Sequence, residues 1–137
     1  MTLLVTGSAG FIGSCYVRQH FEYSVEPVVS LDALTYAGHL STLSPVLKRP
    51  EHTFVHAAIG DVDAVRAIFE KHKPRAVLNF AAESHVDRSI LGPGEFIETN
   101  VVGTYRLLEC AREYWNGLEG EAKAGFRFLH VSTDEVY

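Results

Sequence analysis

Ser132, Thr133, Asp134 and Glu135 bring hydroxyls and two adjacent carboxylates to the end of a strand-like run, Phe126 to Ser132. Two neighbouring carboxylates in a site that excludes water do not readily both ionise. One can keep a proton to donate while the other abstracts one. The same residues suit a helix cap with acidic side chains in its first turn, and the local sequence leaves both readings open. A second constellation lies at Gly7, Gly10 and Gly13, where an apolar run from Leu3 to Thr6 breaks into a glycine turn and continues as a helical pattern. A helix that starts at a strand end presents unpaired N–H groups and partial positive charge, and glycines remove the Cβ atoms that would keep a pyrophosphate away. The spacing is G-x-x-G-x-x-G rather than G-x-G-x-x-G, and a tight turn without a ligand is the alternative.

The buried-type run Val28 to Leu31 ends in Asp32, about 20 residues past the turn. A carboxylate there accepts both hydroxyls of an adenosine ribose and repels a 2′-phosphate, which points to NAD rather than NADP. A turn former or helix cap is the other reading of Asp32.

These groups need a frame. Phe11 with Cys15, and Ile12 with Tyr16, recur four residues apart, predicting a helix to about Phe21 with that stripe against a sheet. Leu34 to Leu43 reads as loop and a short helical piece, and Thr53 to Val55 as a third strand. Asp61 caps a helix with Val62, Val65, Ile68 and Phe69 on one face, ended by Lys73-Pro74. Ala76 to Phe80 is a fourth strand, and Ala81-Ala82 after it leave room for a flat ligand. From Glu95 to Trp115 a helix carries Ile97, Val101, Tyr105, Leu108, Arg112 and Trp115 along one side, and Gly117 to Gly125 is a loop. Strands alternating with helices predict an α/β fold, a doubly wound parallel sheet of order 3-2-1-4-5, with the crevice between strands one and four.

The length of 137 residues, with 47% hydrophobic and 21% charged, predicts a single domain with a core. The net charge of −5 with scattered basic residues excludes a nucleic-acid surface. Met1 to Val17 has no charge, but its glycines, its polar residues and the lack of a basic leader argue against a signal peptide or membrane span, so the chain reads as cytoplasmic. Cys15 and Cys110 are expected to be buried small residues, and His52 and His56, without a nearby carboxylate, are not expected to hold a metal.

The chain resembles the extended short-chain dehydrogenase/reductase family and, within it, the dTDP-glucose 4,6-dehydratases. Thr6 to Gly13, Leu31 to Gly38, Ala81 to Ser89, Thr99 to Thr104 and Ser132 to Tyr137 carry the resemblance, which spans the chain. It implies an NAD-binding Rossmann fold and a reaction on a nucleotide sugar. A hydride leaves sugar C4 for NAD, the ketone acidifies the C5 proton, water leaves from C6, and the hydride returns to C6. It implies Glu135 as base, Asp134 as acid, and Thr133 holding the sugar's 4-hydroxyl. Phe11 and Ile12 would meet the pyrophosphate through backbone groups. Asp32, Ala33, Leu34 and Thr35 would surround the adenosine ribose; Phe80, Ala81, Ala82, Ser84 and Thr99 would line the middle and nicotinamide end, with Ser84 also touching the sugar. Ala58 and Ile59 would stand at the adenine, where relatives usually carry Asp-Ile; losing that carboxylate weakens binding several-fold. The helix from Glu95 to Trp115 resembles one by which these enzymes dimerise.

The family's Tyr-x-x-x-Lys motif has no counterpart, since none of the six tyrosines is followed four residues later by lysine. The expectation is an incomplete dinucleotide-binding domain over 1–137, truncated after the fifth strand, without the nucleotide-sugar domain and inactive alone. The competing expectations are a non-catalytic NAD-binding module and a UDP-sugar epimerase or decarboxylase; Asp134-Glu135 argues against the last two.

Overall fold

The computed structural model describes residues 1–34, 39–81, 94 and 97–131, apart from the Thr99 side chain. Its sheet has five parallel strands, β1 (Leu3–Thr6), β2 (Val28–Asp32), β3 (His52–His56), β4 (Ala76–Asn79) and β5 (Arg127–His130), in the order β3-β2-β1-β4-β5. Helix α1 (Phe11–Tyr23) joins β1 to β2, and α2 (Val62–His72) joins β3 to β4. Helix α3 (Thr104–Asn116) follows a π-helical segment (Glu98–Gly103), and a short α4 (Gly120–Gly125) leads into β5. The expected sheet order and strand positions hold, with ends differing by one or two residues for β3, β4 and β5.

Successive strand residues point to opposite faces, which makes two cores. Leu4, Val29, Leu31 and Val77 meet Val65, Ile68 and Phe69 of α2 and Leu107, Cys110 and Ala111 of α3. Leu3, Val5, Val28 and Ala76 meet Val17 and Phe21 of α1, with Leu43 and Val46. Asp61 accepts the Ala64 N–H (3.2 Å) and caps α2 as its sequence implies; Lys73 ends that helix at φ 47°, just before Pro74.

Three expectations are corrected. Of the stripe Phe11, Ile12, Cys15 and Tyr16, only Tyr16 packs toward the sheet, half-buried against the core and Phe80: Phe11, Ile12 and Cys15 are exposed, while Gly13, Ser14, Val17 and Phe21 are buried. The reason is the close approach of Gly13 to the turn, which rotates α1 so that the small residue, not its large neighbours, lies against β1. Cys15 is therefore not a core residue, whereas Cys110 is. The stripe from Ile97 to Trp115, which the sequence places along one side of its helix, is exposed, because Leu107, Cys110 and Ala111 occupy the face toward the sheet. Residues 120–125 form α4 rather than loop; Trp115 Nε1 donates to the Lys123 carbonyl (3.0 Å), tying that turn to α3.

His52 and His56 are structural. The buried His52 ring sits between the Ser30 hydroxyl (2.6 Å) and the Val46 carbonyl (3.0 Å), so Nδ1 carries the proton and Nε2 accepts from Ser30. His56 Nε2 contacts the Ala33 carbonyl (3.0 Å). Burial pushes the His52 pKa below its ordinary value, and His72 is lowered for the same reason. The unfolded chain then binds more protons than the folded one just below pH ~6.5. Stability is expected to be full above that pH and to fall as the pH drops toward the folded values. Urea midpoints between pH 8 and pH 5 check this; in His52→Asn the slope should shrink, leaving the His72 part.

Candidate functional site

The carboxyl ends of β1, β2 and β4 meet at the glycine turn. Gly7 N–H continues the ladder to Leu31 O (2.9 Å), and Phe80 N–H bonds Thr6 O (3.1 Å). At Gly7, φ is 63°, and a Cβ there would lie 2.6 Å from the Phe80 carbonyl carbon and the Ala81 nitrogen. A Cβ on Gly13 would lie 2.9 Å from the Gly7 carbonyl carbon and closer still to its oxygen. Both positions exclude every side chain, since the obstacles are backbone. The helical ladder of α1 begins with Ser14 N–H to Gly10 O (2.9 Å). The N–H groups of Phe11, Ile12 and Gly13 precede that bond and have no acceptor within the helix. The first turn of α1 carries no acidic residue that would neutralise them. The exposed Phe11 and Ile12 side chains flank these amides.

Asp32 does more than its sequence position suggests. Its carboxylate is buried, with Oδ2 accepting the Ala9 N–H (2.8 Å) and Oδ1 the Leu34 N–H (2.7 Å). It thereby fastens the glycine turn to β2 and stabilises Leu34 at φ 54°, a left-handed backbone costing about 1 kcal/mol in a residue with a Cβ. Each carboxylate oxygen retains a second lone pair, so the group can still accept a ribose hydroxyl.

On the other side of the turn lies a row of polar side chains that sequence reasoning missed. Thr6, Asn79 and His130 are register neighbours across β1, β4 and β5. The Thr6 hydroxyl donates to Asn79 Oδ1, and Asn79 Nδ2 donates to His130 Nδ1 (3.1 Å). Asn79 Oδ1 also takes the Ala81 N–H (3.3 Å). This row ties the ends of three strands together: Thr6 and Asn79 are buried, where losing a partner is costly, and the exposed His130 closes the row at the sheet edge. A polar residue closing the otherwise apolar strands β1 and β4 was the available signal.

The structure thus brings Gly7, Gly10, Phe11, Ile12, Gly13, Asp32, Ala33, Leu34, Phe80 and Ala81 to one edge of the sheet. Ala58 and Ile59 follow β3, one strand further out; Ala58 is exposed, and the Ile59 side chain is in the core, leaving its backbone as the part a ligand could touch. Thr99 falls in the π-helical segment, a helix type frequent at functional sites. Thr35, Ala82, Ser84, Thr133, Asp134 and Glu135 lie outside the described residues. Among the described residues, no three His, Cys, Asp or Glu side chains are grouped as a metal would need, and no helix is long and apolar enough to cross a membrane.

A glycine-cleared backbone with three amides that have no acceptor among the described residues, beside a carboxylate on the next strand, matches a diphosphate joined to a ribose diol. The chain is 56% identical over all 137 residues to a dTDP-glucose 4,6-dehydratase of Shigella flexneri, and spans 38% of that relative's length. The dTDP-glucose 4,6-dehydratase of Streptomyces venezuelae, solved with NAD bound, superposes with a TM-score of 0.85 at 46% identity, over 99% of this chain and 40% of that one. The Bacillus anthracis dTDP-glucose 4,6-dehydratase, solved in complex with NAD, gives a TM-score of 0.81 at 33% identity, over 99% of this chain and 38% of that one. The sequence profile of the GDP-mannose 4,6 dehydratase family matches residues 4–137, and the chain belongs to that family.

Proposed function

We propose that this chain is the dinucleotide-binding portion of an NAD-dependent dTDP-glucose 4,6-dehydratase. The observation that carries the reading is the buried Asp32 carboxylate fastened to a glycine turn whose N–H groups at Phe11, Ile12 and Gly13 have no acceptor among the described residues. Phe11, Ile12 and Gly13 hold the pyrophosphate through those amides. Asp32 takes the ribose hydroxyls, with Ala33, Leu34 and Thr35 around them. Ala58 and Ile59 meet the adenine, and Phe80, Ala81, Ala82, Ser84 and Thr99 the nicotinamide half. Bound NAD supplies a hydride acceptor that later returns the hydride.

The sugar chemistry belongs to the residues after β5. Thr133 holds the 4-hydroxyl, Glu135 removes the C5 proton, and Asp134 protonates the leaving C6 hydroxyl, with Ser84 against the sugar. Because no tyrosine in these residues is followed four positions later by lysine, the group that deprotonates the 4-hydroxyl is not among them, and the chain binds NAD without completing the reaction. The outward stripe Ile97, Val101, Tyr105 and Leu108 is the face along which two copies pair, which sedimentation of the chain checks.

The test is a calorimetric titration with NAD and NADP. NAD is expected to bind, and NADP at least about 10-fold more weakly, since its 2′-phosphate meets the Asp32 carboxylate. Equal affinity for the two would remove Asp32 from the ribose site; no binding of either would overturn the reading.

A further inference from the structure

We propose that Thr42 is a positioning residue for the phosphate turn, acting through the Ala9 carbonyl. The inference rests on the dinucleotide reading and adds a residue to it. Residues 39–43 are distant from the glycine triplet in sequence, yet the Ala9 carbonyl accepts the His39 N–H (3.2 Å) and the Thr42 hydroxyl (2.8 Å). The Ala9 N–H is held by Asp32 from the opposite side. The Gly10 N–H bonds back to the Gly7 carbonyl (3.2 Å). Both peptide planes flanking Ala9 are thereby pinned, and with them the direction of the Phe11, Ile12 and Gly13 amides that follow.

Thr42 is itself well anchored. Its carbonyl accepts from Arg18 Nη1 of α1 (3.1 Å), and the adjacent Leu43 is fully buried in the α1-side core. Helix α1 therefore holds the residue that holds the turn from which it starts. The Thr42 hydroxyl also lies 2.6 Å from the His39 carbonyl, so a purely local role in its own 3₁₀ turn (Leu40–Leu43) is the competing explanation. The two explanations differ in what moves when the hydroxyl goes.

Thr42→Val keeps the volume and removes the donor; Thr42→Ser keeps the donor. In the whole 137-residue chain, Thr42→Val should bind NAD about three- to tenfold more weakly, as expected for one hydrogen bond, with the thermal midpoint little changed. Amide hydrogen exchange should quicken at Ala9 and Gly10, whose N–H groups are bonded to Asp32 and to the Gly7 carbonyl. Thr42→Ser should restore both readouts to within about twofold of the parent, the scatter such bonds show. Unchanged NAD affinity in Thr42→Val, with faster exchange confined to residues 40–44, overturns the proposal and leaves the dinucleotide reading intact. A folded parent chain that binds no NAD overturns both.

Discussion

Gly13→Ala destroys the phosphate turn, and the resulting chain takes up no NAD. The added Cβ would fall inside contact distance of the Gly7 carbonyl and 3.1 Å from Ser8 Cα, all backbone atoms without a rotamer to change. The only relief is to move α1 away from β1. That separation loosens Val17 and Phe21 against Leu3, Val5 and Val28, the core on that face of the sheet. Overpacking in a core costs typically 1–3 kcal/mol, and a clash between backbones lies at or beyond about 3 kcal/mol. Gly10→Ala is the internal control: among the described residues its Cβ would meet only Gly7 O at 3.4 Å, and its φ of −76° suits any residue. A differential scan should show Gly13→Ala melting well below the parent and Gly10→Ala within a few degrees of it. Equal midpoints for the two would mean that the turn is not packed as described.

Asp32→Ala is expected to have the second-largest effect, and it should strike stability and binding together. The substitution strips the acceptor from two amides, Ala9 and Leu34, at a buried position. Hydrogen bonds to a charged group contribute about 1.5–3 kcal/mol each, so the fold loses roughly 3 kcal/mol or more before any ligand is considered. The ribose hydroxyls lose their acceptor as well, and NAD affinity should drop at least about 100-fold. Asp32→Asn separates the two contributions. It is nearly isosteric and keeps one acceptor oxygen, but its NH2 must face either the Ala9 or the Leu34 amide, donor against donor. Its stability should fall between those of the parent and Asp32→Ala, and its discrimination against NADP should shrink because the negative charge is gone. Urea titration reads the first and competitive NAD/NADP binding the second. Asp32→Ala as stable as the parent would show that the carboxylate is not the fastener of the turn.

Some of this was written in the sequence by itself. Parallel strands need crossovers, and the spacing of apolar runs by helical stretches leaves little choice but a doubly wound sheet; β1 and β2 match their sequence limits without adjustment. The Asp61 cap and the Lys73-Pro74 stop were equally local, because a cap side chain bonds an amide three residues away. The ligand class was legible too, since glycines before a helix and an acid after the next strand mark a site made mainly of backbone, whose chemistry does not depend on distant side chains.

Tertiary structure decided which way the helices turn. Periodicity in α1 marks Phe11, Ile12 and Cys15 as readily as it marks Gly13, Val17 and Phe21; the choice falls to the second set because only a glycine fits against the Gly7 carbonyl. In α3, Tyr105, Leu108 and Trp115 likewise lie outward, while Leu107, Cys110 and Ala111 face the sheet and Tyr114 stacks on Phe69. A count of apolar residues on a helical wheel carries no information about how close the opposing strand comes. The support of the site was hidden for a related reason: Asp32, Thr42 and Ala9 are joined by bonds spanning 23 and 33 positions, and Thr6 and Asn79 by one spanning 73. Partners so far apart along the chain are selected by where the strands end in space, which no local pattern encodes.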